Sequence, residues 1–262
     1  MQFNISAWPI SQQAVPNKSA RLVIQDDFSQ VSADVLASSV QSIIADCPNE
    51  IIVDVGKIDV IDSSGLRALL VAAQRCSAAG IGFRLENVSA CVARIAGISG
   101  LSEILGLSEC DVPKISIKHD IDLRQENWKT QQFVAESSAQ MVGEMRDKIV
   151  AQAREAGASG IKLCDIKIAI GEAIANAFRH GSTDSGINLI RVKCRTCKEA
   201  FWVEIEDEGE TFDPDSVPEP DPNILKDHGM GIYIMRHTMD VVEYSFNHPG
   251  NRVRMVKWLV DD

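Results

Sequence analysis

Residues 165–180 (DIKIAIGEAIANAFRH) decide how the second half of this chain folds. The apolar side chains of this stretch recur at alternating steps of three and one, which predicts an amphipathic helix with one buried stripe, made of Ile166, Ala169, Ile170, Ala173, Ile174 and Ala177. Glu172 and Asn176 stand four residues apart on the flank of this stripe, so they project together at the edge of the core. There a carboxylate can act as a base and an amide oxygen can coordinate Mg²⁺, although the same pair also suits a solvated helix face.

An α+β pattern surrounds this helix. The long amphipathic stretch 127–156 precedes it and is predicted to be helical, with a break at 157–160. Further elements are predicted as strands at 114–118, 187–193, 200–206, 241–246 and 253–259, with a helix at 229–237. The Pro/Asp-rich segment 213–227 is too polar to pack and is predicted to be a loop or lid.

Two short motifs follow the helix along the chain. Asp207, Glu208 and Gly209 come at the end of a strand, where a carboxylate can accept a hydrogen bond from the amino group of adenine and a glycine lets a flat ring approach; the alternative is a simple turn. Gly229, Met230 and Gly231 open the next helix, where backbone N–H groups suit a di- or triphosphate; the alternative is a flexible hinge. The conjunction of these motifs with Glu172 and Asn176 favours a nucleotide site.

These motifs resemble the ATP-binding fold that gyrase, the heat-shock chaperone, histidine kinases and mismatch-repair ATPases share (GHKL). Within it, 172–181 (EAIANAFRHG), 207–214 (DEGETFDP) and 228–240 (HGMGIYIMRHTMD) are similar to the boxes of the anti-sigma factor serine kinases. The resemblance implies an α/β sandwich with helices on one face of a mixed sheet, and it implies ATP and Mg²⁺ as cofactors.

The resemblance also implies roles for individual residues. Glu172 would be the catalytic base and Asn176 the Mg²⁺ ligand. The nucleotide contacts would come from Asp207, Gly209, Gly229, Met230 and Gly231, and Arg146 would contact a partner. The chain departs from the family pattern after Gly250, where Asn251 and Arg252 replace a frequent threonine, and at Thr211, which replaces a frequent glycine.

The first half of the chain alternates short strands with helices. Strands are predicted at 21–25, 51–55 and 82–86 and helices at 32–46, 63–79 and 89–96. This order predicts βαβ units and a mixed or largely parallel sheet, so the whole chain is assigned to the α/β and α+β classes. We place the domain boundary at the turn-rich link, giving domains at 1–110 and 111–262.

Asp62, Ser63, Ser64 and Gly65 stand between a buried strand and a helix. Asp and Ser are good N-caps, so the motif can simply be a capped helix. The segments 62–66 (DSSGL) and 89–105 (SACVARIAGISGLSEIL) resemble the sulfate transporter and anti-sigma antagonist (STAS) domain over about 21–107. That resemblance implies that Ser63 is a phospho-acceptor, with Ser64 as the second choice.

Composition and charge exclude several function classes. The net charge of −11 opposes nonspecific attraction to nucleic acid and to anionic lipid. No apolar run has the length of a membrane span and no signal peptide is evident, so we expect a cytoplasmic protein without membrane insertion. Seven cysteines suit a reducing compartment, and only Cys194 and Cys197 form a CxxC pair, for which a metal or redox role is an open but minor alternative.

The sequence therefore predicts an ATP-dependent protein-serine kinase of partner-switching signalling. Its substrate would be a serine of a STAS domain, either its own Ser63 or that of a separate antagonist. A sigma factor or another regulator would be its partner, and a homodimer is plausible because the link between the domains is short. The alternative is a non-catalytic, ATP-dependent interaction switch that sequesters such a regulator.

Overall fold

The computed structural model describes residues 10–14, 19–25, 30–46, 48–58, 61–107, 127–136, 139–181, 189–210, 213–214, 230–245 and 250–260. The chain forms two compact units, Met1–Val112 and Pro113–Asp262. Each unit has its own sheet.

In its described residues, the N-terminal unit has a four-stranded sheet and three helices. Its elements are β1 (Ile10–Ala14), β2 (Ser19–Ile24), α1 (Gln30–Ala45), β3 (Glu50–Asp54), α2 (Ser63–Ala78), β4 (Gly82–Glu86) and α3 (Ala90–Ile98). The strands lie in the order β1-β2-β3-β4, with β1 antiparallel to β2 and the other two pairings parallel. The predicted alternation of strands and helices is confirmed, and β1 is an additional strand that the sequence did not reveal.

A polar cluster lies at the carboxyl ends of the parallel strands. The Asp54 carboxylate accepts hydrogen bonds from Gly56 N at 2.9 Å, Arg21 Nη2 at 2.5 Å and Asn87 Nδ2 at 3.1 Å. Burial alone would raise the pKa of Asp54, but these three hydrogen bonds outweigh it and hold the pKa below the usual value. Glu86 Oε2 lies 3.3 Å from Arg21 Nη2, so the cluster connects all three parallel strands.

The described part of the C-terminal unit packs three helices on a five-stranded sheet. Its elements are β5 (Lys129–Glu136), α4 (Ala139–Glu155), α5 (Gly160–His180), β6 (Leu189–Thr196), β7 (Ala200–Glu206), α6 (Met230–Thr238), β8 (Val241–Ser245) and β9 (Arg252–Trp258). The order is β5-β6-β7-β9-β8. The core lies between one face of the sheet and all three helices, as the fold class predicted. The sheet was expected to be mixed, but every pairing among the described strands is antiparallel.

The prediction of a helix over 127–156 is wrong in its first third. Residues 129–136 form strand β5, and the helix begins only at Ala139. β5 is an edge strand whose exposed polar side chains hide the alternation that places Phe133 and Ala135 against the core. The predicted strand 114–118 lies outside the described residues.

A buried lysine connects the sheet of this unit to two of its helices. Lys257 Nζ on β9 donates to Asp165 Oδ2 on α5 at 2.9 Å and to the Thr238 carbonyl at the end of α6 at 2.7 Å. The Lys257 and Asp165 side chains are only 8% and 3% exposed. Asp240, whose Oδ1 lies 3.7 Å from Lys257 Nζ, accepts a hydrogen bond from Trp258 N. The ion pair thus connects α5, α6 and β9 at the end of α5 that is remote from Asn176.

Within the described residues, the structure holds no helix that combines the length and the apolar character needed to cross a membrane.

Candidate functional site

Helix α5 carries the first two predicted site residues. The helix begins at Gly160, five residues before the predicted start, and its apolar stripe is buried as predicted. Asn176 is half-buried, at the edge of the core. Glu172 differs from its predicted position at that edge, because it is 0% exposed. Another element must therefore cover the Glu172 carboxylate.

The N-terminus of α6 provides that cover. A β-carbon placed on Gly231 would stand 2.5 Å from Glu172 Oε2 and 3.5 Å from Asn176 Nδ2. The close approach is possible only because residue 231 has no side chain. The Glu172 carboxylate therefore lies against the N-terminal turn of α6. The structure thus brings Glu172, Asn176 and Gly231 together, with Met230 as the first residue of α6. Gly229 lies outside the described residues.

Asp207 stands beyond the end of β7, half-buried and tightly held. Its Oδ1 accepts a hydrogen bond from Gly209 N at 2.9 Å and another from Asn251 Nδ2 at 2.9 Å. Its backbone N–H donates to the Asn251 carbonyl at 3.0 Å. The first contact is an Asx-turn, so the simple turn anticipated from the sequence is present. The turn also fixes the carboxylate in one orientation, which a binding role requires as well.

Three glycines allow backbone segments to meet around Asp207. A β-carbon on Gly209 would stand 1.9 Å from the His180 carbonyl oxygen, and one on Gly181 would stand 2.7 Å from Asp207 Cβ. Gly250 has φ +103° and its β-carbon would stand 1.8 Å from the Asp207 carbonyl oxygen. The end of α5 therefore lies directly against Asp207. One helix positions both Glu172 and the Asp207 turn.

Asn251 is a site residue that the sequence did not assign. Asn251 stands where the family pattern has a frequent threonine, and it contacts Asp207 with both its backbone and its side chain. Asn251 Nδ2 also donates to the Glu210 carbonyl at 3.0 Å. The residue is 7% exposed, and among the described residues no donor lies within hydrogen-bond distance of its Oδ1.

Tyr244 lies within electrostatic range of both Glu172 and Arg236. Burial and the nearby negative charge of Glu172 raise the pKa of Tyr244 well above its usual value, while Arg236 acts in the opposite direction. Tyr244 therefore stays neutral at physiological pH. Tyr244 did not stand out in the sequence, because strand β8 brings it near Glu172 only in the folded chain.

The remaining predicted residues of this unit stand on α4 and at the end of β6. Arg146, on α4, pairs with Asp147 at 3.1 Å, and its side chain is 13% exposed. Burial raises the pKa of Cys194 to about 12. Burial is also the largest influence on Cys197, whose pKa is raised although backbone hydrogen bonds act against the change. A redox thiol needs a depressed pKa, so the redox alternative for this pair is not supported.

In the N-terminal unit, Ser63 is the first residue of α2. Asp62 is the N-cap, and its Oδ1 accepts a hydrogen bond from Gly65 N at 2.8 Å. Ser63 and Ser64 are both partly exposed. The capped-helix interpretation is therefore correct for Asp62, and it leaves both serines at a helix N-terminus, where a phosphate is electrostatically tolerated.

Comparisons with known proteins agree with this division. Residues 17–113 match the model of the STAS domain, and residues 135–257 match the model of the histidine kinase-like ATPase domain. Serine-protein kinase RsbW of Bacillus subtilis (strain 168) is 29% identical over 126 residues, which cover 45% of this chain and 78% of that protein. Serine-protein kinase RsbW of Staphylococcus aureus is 26% identical over 132 residues, which cover 47% of this chain and 82% of that protein.

A solved structure gives a weaker match. It is the crystal structure of the RsbU and RsbW domains of Rv1364c from Mycobacterium tuberculosis, with a TM-score of 0.38 and 15% sequence identity. The match covers 49% of this chain and about a third, 32%, of that one.

Proposed function

Because the chain joins an N-terminal STAS domain to a C-terminal histidine kinase-like ATPase domain, we propose that it is a bacterial, cytoplasmic serine kinase of partner-switching signalling. It binds Mg²⁺-ATP and phosphorylates a serine of a STAS domain, its own or that of a separate antagonist. Its binding partner is a sigma factor or another regulator. The observation that carries this proposal is the placement of Glu172 and Asn176 against Gly231, the second residue of α6.

The residues present fit a purine nucleotide with a metal ion. Asp207 offers a fixed carboxylate for the base, beside the backbone contacts of Gly181, Gly209 and Gly250. The orphaned acceptor Asn251 Oδ1 adds a second polar group there. Asn176 supplies an amide oxygen for Mg²⁺, and the N-terminus of α6, from Met230 and Gly231 onward, supplies N–H groups for phosphate oxygens. ATP supplies the phosphoryl group, and Mg²⁺ neutralises its charge.

In this proposal Glu172 is the general base. The serine oxygen forms a bond to the γ-phosphorus while the bond from that phosphorus to the ADP oxygen breaks. The hydroxyl proton passes to the Glu172 carboxylate, and ADP leaves. Because phosphoryl transfer depends mainly on positioning and on charge stabilisation, a buried and preorganised carboxylate suits the role.

Ser63 is the preferred acceptor within the chain and Ser64 the second choice. A phosphate on Ser63 would lie at the N-terminus of α2 and add roughly −1.5 to −2 charges to a partly exposed surface. The fold tolerates this charge there, whereas a protein docked on the surface would be repelled. In a homodimer the acceptor of one copy would be served by the kinase domain of the other.

One observation favours a second candidate function. Glu172 is fully buried beneath Gly231, so a serine hydroxyl reaches it only when the start of α6 moves. A domain that binds ATP and keeps this arrangement would act as a non-catalytic switch that holds or releases a regulator.

Incubation of the full chain with Mg²⁺ and γ-labelled ATP distinguishes the two functions. We expect label on the peptide that contains Ser63 and Ser64, absent in Ser63→Ala and retained in Ser64→Ala. Glu172→Gln should lower the transfer rate by about 10²–10⁴-fold while it keeps ATP affinity, and Glu155→Gln, at an exposed position on α4, serves as the matched control. When no peptide is labelled, a separate STAS protein is added as substrate. ATP binding without transfer to either substrate would establish the switch and refute the kinase.

A further inference from the structure

The side-chain amide of Asn251 has only one favourable orientation. Its Nδ2 donates to two acceptors, Asp207 Oδ1 at 2.9 Å and the Glu210 carbonyl oxygen at 3.0 Å. The opposite rotamer of the amide would place Oδ1 against both of these oxygens, which repel it. The unsatisfied atom of this side chain is therefore an acceptor.

Backbone contacts hold Asn251 beside Asp207, and the two hydrogen bonds from Nδ2 hold its side chain in this orientation. Its carbonyl accepts a hydrogen bond from Asp207 N at 3.0 Å, and its N–H points to Asp207 Oδ1 at 3.4 Å. The preceding residue, Gly250, has φ +103°, a conformation that few other residues adopt. Asn251 is 7% exposed, and within the described part of the chain nothing donates to its Oδ1. A buried acceptor without a donor is costly, so a ligand that brings a donor is favoured.

We propose that Asn251 determines base specificity in the nucleotide site by selecting a purine that carries an amino group at position 6. The inference rests on the proposed function, in which the base lies at Asp207. Asn251 acts in two ways: Nδ2 orients the Asp207 carboxylate, and Oδ1 accepts an N–H of the amino group, directly or through one water.

The hydrogen-bond acceptors that Asp207 and Asn251 offer match adenine better than a 6-oxopurine. Asp207 Oδ1 already accepts from Gly209 N and Asn251 Nδ2, so Asp207 Oδ2 and Asn251 Oδ1 remain as two acceptors. The 6-amino group of adenine carries two N–H donors. A 6-oxo group would instead present an acceptor to these oxygens and leave them unsatisfied, which is the condition under which polar sites discriminate most strongly.

Equilibrium binding to the full chain tests this proposal without reliance on activity. Affinities are measured for ATP, for purine riboside 5′-triphosphate, which lacks the 6-amino group, and for inosine 5′-triphosphate, in the wild type and in Asn251→Leu. We expect loss of the amino group to weaken wild-type binding about 100-fold and to weaken Asn251→Leu binding about tenfold. Asn127→Leu, at an exposed position in the same unit, is the matched control and should keep the wild-type ratio.

A second variant protects the test against misfolding. Asn251→Ser keeps the backbone hydrogen bonds, but the serine side chain is too short to contact Asp207 and the purine base at the same time. This variant should therefore show the same reduced ratio of the affinity for ATP to that for purine riboside triphosphate. An unchanged ratio of ATP to purine riboside triphosphate in both variants would overturn the role of Asn251 and leave the proposed function standing. A wild type that binds none of the nucleotides would overturn both.

Discussion

Gly231 and Glu172 are in direct contact across the α5–α6 interface, at a distance that leaves no room for a β-carbon between them. The glycine is therefore required for packing as well as for any contact with phosphate. A mutation that adds a β-carbon at this position tests the packing role of the glycine.

Replacement of Gly231 by Ala should displace the Glu172 carboxylate. The new β-carbon would stand 2.5 Å from Oε2, so the side chain of Glu172 or the start of α6 must move. In the proposed function Glu172 is the general base, and a small displacement of such a group slows the reaction strongly, so we expect the rate of phosphoryl transfer to fall about 100-fold. Quantification of labelled product against time measures the effect.

Gly143→Ala on α4 is the control for this change. A β-carbon there meets nothing within 4 Å, so we expect unchanged transfer and a gain in stability of roughly 0.5–1 kcal/mol from the better helix former. Equal rates for Gly231→Ala and Gly143→Ala would show that the contact with Glu172 has no bearing on transfer.

Removal of the buried lysine should strongly destabilise the C-terminal unit. Lys257→Met leaves the Asp165 carboxylate, 3% exposed, without its cation, and we expect a loss of about 3–5 kcal/mol. Tryptophan fluorescence during urea denaturation measures it, since Trp128, Trp202 and Trp258 all lie in this unit.

An exposed ion pair in the same unit supplies the comparison. Arg191 pairs with Glu208 at 2.8 Å, with side chains 41% and 33% exposed. Arg191→Met should cost less than about 1 kcal/mol, because solvent screens such pairs. If the two variants lose equal stability, burial does not govern the strength of the Lys257 pair.

The Asp54 cluster should make the N-terminal unit sensitive to acid. Its hydrogen bonds hold the pKa of Asp54 below the usual value, so the unfolded chain takes up a proton at a higher pH than the folded unit does. The stabilisation is complete above the unfolded-state pKa, about 3.9, and is lost as the pH falls through the lower folded-state pKa.

Calorimetry of the wild type and Asp54→Asn between neutral pH and about pH 2 measures this dependence. We expect Asp54→Asn to have a lower Tm at neutral pH and a flatter decline below about pH 4. Asp46→Asn, at an exposed position after α1, should decline like the wild type. Parallel curves for wild type and Asp54→Asn would contradict the role of the cluster.

The N-cap of α2 should be worth about 1 kcal/mol. Asp62→Ala removes the acceptor of the Gly65 N–H, and capping losses of this kind have that typical size. Ser159→Ala is a matched comparison, because Ser159 stands at the N-cap of α5 without a side-chain capping hydrogen bond and should change stability little. Urea denaturation followed by circular dichroism measures both, and a neutral Asp62→Ala would refute the cap.

Local patterns in the sequence predicted most of the fold. The 3.6-residue periodicity of α5 and the short apolar runs of β4 and β7 are strong local signals, and the ends of β4 and β7 coincide with the prediction. The prediction for strand β5 was wrong because an edge strand exposes most of its side chains, so its sequence resembles that of an amphipathic helix. Tertiary pairing with β6, rather than propensity, decides its conformation.

The candidate site was predictable only as a set of motifs. The sequence identified Glu172, Asn176 and Asp207, since each stands at a helix flank or a strand end. The burial of Glu172 could not be predicted, because Gly231 covers it from another helix. The contact between Asp207 and Asn251 spans 44 residues and depends on the register of β7 with β9. Contacts of this range follow from packing, not from local pattern.

Helix α5 fixes the distance between Glu172 and the Asp207 turn. It holds Glu172 at one point, and its C-cap residue, Gly181, lies against Asp207. Nine residues of a straight helix span roughly 13 Å at about 1.5 Å per residue. The separation between Glu172 and the Asp207 turn is therefore set by helical geometry rather than by loops. A ligand that engages both ends has to match that length. One residue inserted between Glu172 and Gly181 would rotate one of them by about 100° about the helix axis relative to the other. The number of residues between them is therefore itself a determinant of which ligands fit.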